Sequence, residues 1–505
     1  MNSLFRSLSR ISVCSLILSV CLGSPSNAQS QQTTRYDTTA LKRDLSLLRD
    51  ALEKYHPSLY AYIPKTELDK SFSQTLDAIR DSLTASTFAY RIVAPYIARI
   101  RCGHTSVSVS DRLKKELRIH PPPGFPLFLK FFGDTMMVSR NLNRTDSFLK
   151  KGTIVLQING MDSRSLKERL FACFPMDGYA ESVNIARLNN NFPYYLRMVM
   201  GADTTFTIEY LDEQNRPVTR TISAFRPVAS SKNPQKVRSP TPVQQHAIRS
   251  NRELAIDSAS GVAYMFLANF DHPMRTRSFI RKCFRNIDRL GIGHLIIDLR
   301  SNGGGVIDNE VFLARHLRNT TFRVADTAVA INRRFYGYGK YFRNEWMNGL
   351  IMHLFTRKDE HGRFHMSGYW EKRTFKPVKH RFFDGQIYIL TGGMTFSAAS
   401  LFCKTMKGQE NVRLIGEETG GSGYANNGLL IPDFILPNSR IRVRMPLFRV
   451  VPDRNSVNDG RGVIPDMIIA PSSASLKEGY DPVMLTALWQ IRQFDKTRKP
   501  STDLK

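Results

Sequence analysis

The sequence contains few cysteines, few tryptophans and, after its first residues, no long apolar run. Six of the 505 residues are cysteine and three are tryptophan. A membrane-spanning helix needs about 20 consecutive apolar residues, so none is expected after the N-terminal segment. The cysteine spacings match no zinc motif, and no Lys-Ser or Lys-Thr pair follows the glycine-rich stretch as in a nucleotide-binding loop. We therefore expect neither a zinc finger nor a nucleotide-binding P-loop.

Acidic residues are also scarce: the chain has 44 Asp and Glu but 72 Lys and Arg, which gives a formal charge of +28. Such a balance often indicates a nucleic-acid-binding protein. Here the basic residues are scattered and no binding motif accompanies them, so no nucleic-acid partner is expected. Generic solvation is the favoured interpretation of the charge, and an acidic protein or an anionic surface is a further candidate partner.

The N-terminus has the pattern of a secretory signal peptide. Arg6 and Arg10 precede an apolar stretch at 11–22, and Ser26-Asn27-Ala28 has the small residues of a cleavage site. We expect residues 1–28 to be removed and the mature protein to be periplasmic or extracellular, without a stable membrane anchor. Loss of the two arginines lowers the formal charge from +28 to +26.

Four cysteines would remain after that cleavage: Cys102, Cys173, Cys283 and Cys403. Their number permits disulfides in an exported protein but does not form a dense framework. Cys283 and Cys403 lie in segments with helical apolar spacing, which favours burial as free thiols.

The periodicity divides the mature chain into parts. Residues 29–118 are predicted to be a helical domain, with Pro95 interrupting its third helix and His56 a structural residue at a helix end. Residues 119–225 have alternating strand patterns around one helical piece at 165–174, and 226–255 has the composition of a linker.

From 256 to 475 apolar strands alternate with helices, which indicates an α/β layer with a mainly parallel sheet. Residues 325–382, rich in basic and aromatic side chains, are interpreted as an insertion over this domain. A helix and tail complete the chain at 476–505.

One stretch of this α/β part, at 386–421, has a strand, a turn and then a helix that begins near Ser397. The first turn of a helix has unpaired N–H groups, which a serine can cap or which can hold a developing oxyanion. For an arbitrary serine, a cap formed by Thr395 or Ser397 is the commoner explanation. A second strand, at 295–299, ends in Asn302-Gly303-Gly304-Gly305, where glycine allows N–H groups to converge on an anion.

Four motifs together resemble the C-terminal-processing and tricorn-type serine peptidases. They are IDLRSNGGG at 297–305, TFSAA at 395–399, GEETGG at 416–421 and GVIPD at 462–466. The segment GTIVLQING at 152–160 partly resembles the strand and turn of a PDZ domain. The resemblance implies a multidomain α/β protein with an N-terminal helical segment, a PDZ-like β-rich module and a crotonase-like catalytic core.

The resemblance also implies roles for individual residues. Ser397 becomes the nucleophile, and the N–H of Ala398 with that of Gly303 or Gly304 forms the oxyanion hole. Ser422 stands where part of the family has an activating lysine, so the histidine of Gly103-His104-Thr105 is the expected base.

The carboxylate that orients the histidine is less clearly marked. The family's usual Glu falls on Asp459, whose competing interpretation is a turn residue before Gly460. Asp453 is the nearby alternative, and Glu417 or Glu418 could support the site from behind. Ser400 replaces another family Glu and is expected to affect helix packing rather than chemistry.

These implications predict a serine endopeptidase that acts on a protein or peptide through an acyl-enzyme, without metal or organic cofactor. The main alternative is a catalytically impaired peptide- or ligand-binding protein on the same fold, supported by Ser400 and Asp459. A third alternative, another acyl-handling enzyme of the crotonase type, is disfavoured by the export signal. The sequence leaves the oligomeric state open.

Overall fold

The computed structural model describes residues 33–226, 251–271, 275–366 and 370–498. The predicted signal peptide, most of the predicted linker and the end of the C-terminal tail lie outside these residues. The fold is mixed α/β with several sheets, as the sequence predicts.

The N-terminal segment is mainly helical, as its apolar spacing predicts. Its elements are β1 (Arg35–Tyr36), α1 (Thr38–Tyr55), α2 (Lys65–Asp77), β2 (Leu83–Thr84), α3 (Ala85–Thr87), a π-helical turn (Phe88–Val93), α4 (Ala94–Ala98), β3 (Ser106–Ser108) and α5 (Asp111–Ile119). The side chain of Thr84 caps α3 by accepting the N–H of Thr87. The predicted interruption at Pro95 is visible as the π-helical turn directly before it.

The middle segment is an antiparallel sheet with two helices. It contains β4 (Leu127–Phe132), β5 (Thr135–Asn141), β6 (Ile154–Ile158), β7 (Met161–Asp162), α6 (Ser163–Phe171), α7 (Ser182–Met200), β8 (Thr205–Leu211) and β9 (Pro217–Ser223). The strands follow the order β4-β5-β6-β8-β9, and β7 pairs with β6. The periodicity analysis missed α7, which is kinked at Asn191 shortly before Pro193.

A six-stranded sheet forms the centre of the third part. Its elements, in chain order, are β10 (Arg252–Asp257), β11 (Val262–Leu267), α8 (Thr276–Arg289), β12 (His294–Asp298) and α9 (Ile307–Ala314). β10 begins inside the stretch predicted as a linker. These residues form a strand because they pair along their whole length with β11. The linker prediction is therefore wrong for its last residues.

The insertion contributes β13 (Thr327–Ala330), a 3₁₀ turn (Gly339–Tyr341), α10 (Glu345–Phe355), β14 (Arg357–Lys358) and β15 (Phe364–His365). After it come β16 (Gln386–Thr391), α11 (Ala398–Met406), β17 (Val412–Gly416), β18 (Asp433–Ile435), β19 (Arg442–Arg444), β20 (Arg449–Val451), β21 (Met467–Ile468), α12 (Ser473–Glu478) and α13 (Pro482–Arg498). The central sheet has the order β10-β11-β12-β16-β17-β21, and every pairing except β10 with β11 is parallel.

A strand pairing and a buried carboxylate are among the contacts that attach the N-terminal segment to the third part. Strand β3 pairs with β19, with Ser106 opposite Arg444. The buried carboxylate of Asp44 on α1 accepts the N–H groups of Asn438 and Ser439 at 3.1 and 2.7 Å. These contacts fix the position of the Gly103-His104-Thr105 turn, which lies directly before β3.

The four described cysteines are buried free thiols, as predicted for Cys283 and Cys403. In the described parts of the chain, no helix combines the length and apolarity that crossing a bilayer requires.

Glu310 is a charged residue in an apolar interior. It lies on α9, which packs against α11, and it is fully buried. Neither carboxyl oxygen has a hydrogen-bond partner among the described residues. Burial raises the pKa of Glu310 well above its ordinary value, with Asp308 adding to the effect, so the fold favours the protonated side chain.

Replacing Glu310 by glutamine is expected to flatten the pH dependence of stability. Because the pKa of Glu310 is raised on folding, the stability is full below its ordinary value of 4.5 and falls as pH rises toward the folded-state value. The slope is up to about 1.4 kcal/mol per pH unit. Urea unfolding between pH 5 and 8 measures it, with the exposed Glu67→Gln as control. Parallel slopes for wild type and Glu310→Gln would contradict the assignment.

Candidate active site

The turn between β16 and α11 places Ser397 in an unusual backbone conformation. Its φ is 54° and its ψ is −121°, a region that residues other than glycine rarely occupy. Ser397 holds the cap position of α11, but its side chain caps no helix N–H. Thr395, the other candidate cap, instead donates to Leu299 O at 2.8 Å and accepts the N–H of Gly392 at 3.0 Å. The turn is therefore held by Thr395, and the Ser397 hydroxyl remains available.

The Ser397 hydroxyl faces a histidine from the far end of the chain. Ser397 Oγ lies 3.0 Å from Nε2 of His104, which is hydrogen-bond distance. Gly428 covers this pair closely, because a Cβ there would lie 2.8 Å from His104 Nε2 and 2.9 Å from Ser397 Oγ. Any larger residue at 428 would collide with both groups. No motif in the sequence marks Gly428.

His104 is held by packing and by its neighbour Thr105. Its side chain is only 7% exposed, and its ring lies 4.9 Å from that of Phe396, centroid to centroid. The hydroxyl of Thr105 lies 2.8 Å from Nε2 of His56. Because Nδ1 of His56 accepts the N–H of Ser58, Nε2 carries the proton and donates to Thr105. Burial lowers the pKa of His56 to about 3, so it stays neutral and structural, as predicted.

The surroundings of His104 favour the neutral imidazole. Burial lowers its pKa most strongly, Arg444 lowers it further, and Asp177 opposes both. Nδ1 of His104 is buried without a hydrogen-bond partner among the described residues. A neutral imidazole with Nε2 toward a hydroxyl is the form that can accept a proton.

The glycine loop after β12 lies against the turn that contains Ser397. A Cβ on Gly304, whose φ is +97°, would lie 2.7 Å from Ser397 Cβ and 3.0 Å from Ala398 N, so only glycine fits. The N–H of Gly304 is already engaged, because it donates to Asn302 Oδ1 at 2.9 Å. Within the described residues, no hydrogen bond uses the N–H of Gly303 or that of Ala398. These two groups are the donors that remain for an anion.

The position of the family's lysine is occupied by a turn residue. Ser422 Oγ accepts the N–H groups of Tyr424 and Ala425, at 3.0 and 3.2 Å. Ser400, another departure from the family pattern, is buried and donates to Thr395 O at 2.9 Å. The serine at 400 therefore supports the helix start, as expected.

The structure does not bring Asp459 to His104. Asp459 is exposed and its carboxylate accepts the N–H of Arg461 at 2.9 Å, the local turn that competes with a catalytic role. Glu418 fixes this loop, because it pairs with Arg461 and accepts the N–H of Gly462 at 2.7 Å.

The other predicted carboxylates are also engaged elsewhere. Asp453 is exposed and accepts the N–H of Asn455 at 2.9 Å. Burial raises the pKa of Glu417, and Arg300 is the charge that acts on it. Neither makes a hydrogen bond to His104 in the described parts of the chain.

Asp177, which the sequence analysis did not single out, is the carboxylate beside His104. A carboxylate oxygen of Asp177 lies within 4.8 Å of a ring nitrogen of His104 and of the Cys102 sulfur. Among the described residues, this trio has donor types that could hold a metal. We assign it none, because Asp177 already accepts two backbone N–H groups and Nε2 of His104 faces Ser397. The only local signal in the sequence is the Asp-Gly pair at 177–178, which is typical of any turn.

Comparison with known proteins finds a family match for the segment that contains Ser397. Residues 261–469 match the family model described as Peptidase family S41. No curated protein matches the sequence.

Solved structures extend the likeness beyond that segment. Mature CPAF complexed with lactacystin is 12% identical, with 91% of this chain and 98% of that chain covered and a TM-score of 0.61. A crystal structure of mature CPAF gives the same identity and coverage, with a TM-score of 0.60. The photosystem II D1 C-terminal processing protease is 14% identical over 86% of this chain and 93% of its own, with a TM-score of 0.40. At such low identities, the CPAF structures show a shared fold only.

Proposed function

We propose, on the match of residues 261–469 to peptidase family S41, that this chain is a serine-type peptidase in which Ser397 attacks the peptide bond with His104 as its base. The observation that carries the proposal is the 3.0 Å approach of Ser397 Oγ to His104 Nε2. The strained backbone of Ser397 supports it, because such strain is common at functional sites.

In the first step, His104 Nε2 takes the hydroxyl proton while Ser397 Oγ bonds to the carbonyl carbon of the substrate. The carbonyl oxygen becomes an anion, and the N–H groups of Gly303 and Ala398 stabilise it. The protonated His104 then gives its proton to the amine as the C–N bond breaks. Water repeats the sequence on the acyl-enzyme and restores the serine. Each oxyanion donor is expected to contribute about 10²- to 10³-fold in rate.

The proposal also covers the kind of domain that each part of the chain forms. We interpret the central sheet as a crotonase-like core and the middle segment as a PDZ-like module. In a PDZ module the loop that binds the ligand carboxylate would fall at 124–127, but Gly124 is already paired here, since Gly124 and Phe225 exchange backbone hydrogen bonds. Pro126 removes a further N–H donor from that loop. Capture of peptide C-termini by this loop therefore has little support.

The sequence supports a proposal about the location and the substrates of the enzyme. We propose export through residues 1–28 and action outside the cytoplasm on protein or peptide substrates. The charge of the mature chain suits acidic substrates or an anionic surface.

Labelling with a fluorophosphonate probe tests the function. The probe is expected to modify the purified wild-type protein at Ser397, located by mass spectrometry of the digested protein, together with measurable casein cleavage. Ser397→Ala should lose both, whereas Ser260→Ala, which removes an exposed serine, should keep both. A folded wild-type protein that is neither labelled nor active would overturn the proposal and favour the ligand-binding alternative.

A further inference from the structure

We infer that Asp177, in the turn between α6 and α7, is the carboxylate that positions His104. The inference rests on the proposed function, because it concerns how the base of that reaction is held. It assigns the middle segment a part in catalysis, although that segment lies outside the residues that match the peptidase family.

The carboxylate of Asp177 joins two turns of the active site. One oxygen accepts the N–H of Gly103 at 2.7 Å, directly before His104. The other accepts the N–H of Ser422 at 3.3 Å. Asp177 is only 5% exposed, so these bonds are protected from water. Charge-assisted bonds of this kind are about twice as strong as neutral ones. Asp177 therefore fixes the backbone that carries the base against the segment that follows β17.

The turn that carries Asp177 is itself held from both sides. Gly178 donates to Arg101 O at 2.9 Å, and Nη1 of Arg101 donates to Gly178 O at 3.2 Å. Tyr179 donates to Gly460 O at 2.7 Å. Gly178 has a φ of +56°, and a Cβ there would lie 2.3 Å from Gly460 O, so the contact requires glycine. The loop that contains Asp459 thus supports the Asp177 turn through Gly460.

The charges around His104 give Asp177 a second role. The neutral base has its proton on Nδ1, and this buried atom has no hydrogen-bond partner among the described residues. The imidazolium formed during the reaction is disfavoured by burial and by Arg444 of β19. Asp177 supplies the opposing negative charge within 4.8 Å of the ring. The thiol of Cys102 and the ring of Phe396 complete the surroundings and are uncharged. Arg187 and Tyr62 are two further titratable groups that interact electrostatically with Asp177.

Asp177→Asn tests the inference, because asparagine keeps the shape and removes the charge. We expect kcat for a peptide substrate to fall about 10²-fold, with KM little changed. The acidic limb of kcat/KM should move to lower pH, because loss of the negative charge lowers the pKa of His104. A merely structural role would not move this limb. The exposed Asp203→Asn, in the same segment, is the matched control and should behave as wild type.

The outcomes separate the competing assignments. A wild-type kcat and pH profile for Asp177→Asn, while wild type is labelled at Ser397, would overturn the inference alone. The same losses in Asp459→Asn instead would assign the orienting role to Asp459. Failure of wild type to react with the probe would overturn the proposed function itself. If Asp177→Asn does not fold, Asp177→Glu replaces it: the acidic limb should stay in place while kcat falls about 10-fold, and an unchanged kcat would count against the inference.

Discussion

Replacing Ser397 by glycine is expected to stabilise the fold while it removes the activity. Glycine adopts the φ of 54° and ψ of −121° at this position without the steric cost that serine carries. After the larger backbone entropy of glycine in the unfolded chain is subtracted, the free energy of unfolding should rise by about 1 kcal/mol. Loss of the nucleophile should lower kcat/KM by about 10⁴- to 10⁶-fold.

Ser397→Ala is the matched control, because it removes the hydroxyl but keeps a Cβ and therefore the strain. It should be as inactive as the glycine variant and no more stable than wild type. Chemical denaturation and peptide hydrolysis measure the two effects on the same preparations. Equal stability of the glycine and alanine variants would show that the backbone at 397 relaxes without cost.

Replacing His104 by alanine is expected to lower kcat by about 10⁴- to 10⁶-fold and to slow fluorophosphonate labelling of Ser397. The variant removes the group proposed to take the hydroxyl proton, and Ser422 offers no substitute at the position where part of the resembling family has a lysine. In the wild type, burial lowers the pKa of His104 below its ordinary value of 6.5. The acidic limb of the wild-type kcat/KM profile should therefore lie below pH 6.5.

The exposed His361→Ala serves as the control for this experiment and should retain the wild-type rate and profile. Circular dichroism of both variants checks that the fold is kept. A His104→Ala enzyme with substantial activity would mean that another group activates Ser397. An acidic limb above pH 6.5 would contradict the stated effect of burial.

The sequence predicts those parts of the fold that depend on local periodicity. The predicted positions of the strands and helices around Ser397 agree closely with the structure, because a strand, a turn and an amphipathic helix each have a local pattern. Helix α7 was missed because Pro193 and a run of asparagines disguise it, while tertiary packing supplies its stability. Strand β10 was assigned to a linker because its edge position gives it a mixed burial pattern and hence a weak apolar signal.

The residues of the site also fall into those that a local motif predicts and those that no local motif marks. Short motifs, each readable within a few residues, predict Ser397, His104 and the glycine loop, which lie together in the structure. Asp177 and Gly428 act through contacts with residues far away in the chain, and neither stands in a motif. Asp459 was selected by its position relative to a motif, yet its side chain follows the preference of an Asp-Gly turn. Spacing along the chain could not decide between these two carboxylates.

On the roles proposed for His104 and Ser397, their separation by 293 positions also sets when the enzyme becomes active. Synthesis proceeds from the N-terminus at about 5 to 20 residues per second, so the base exists for about 15 to 60 seconds before its nucleophile is made. Gly460, which supports the Asp177 turn, follows later still. On the proposed roles, a growing chain therefore lacks a complete site until it is almost finished.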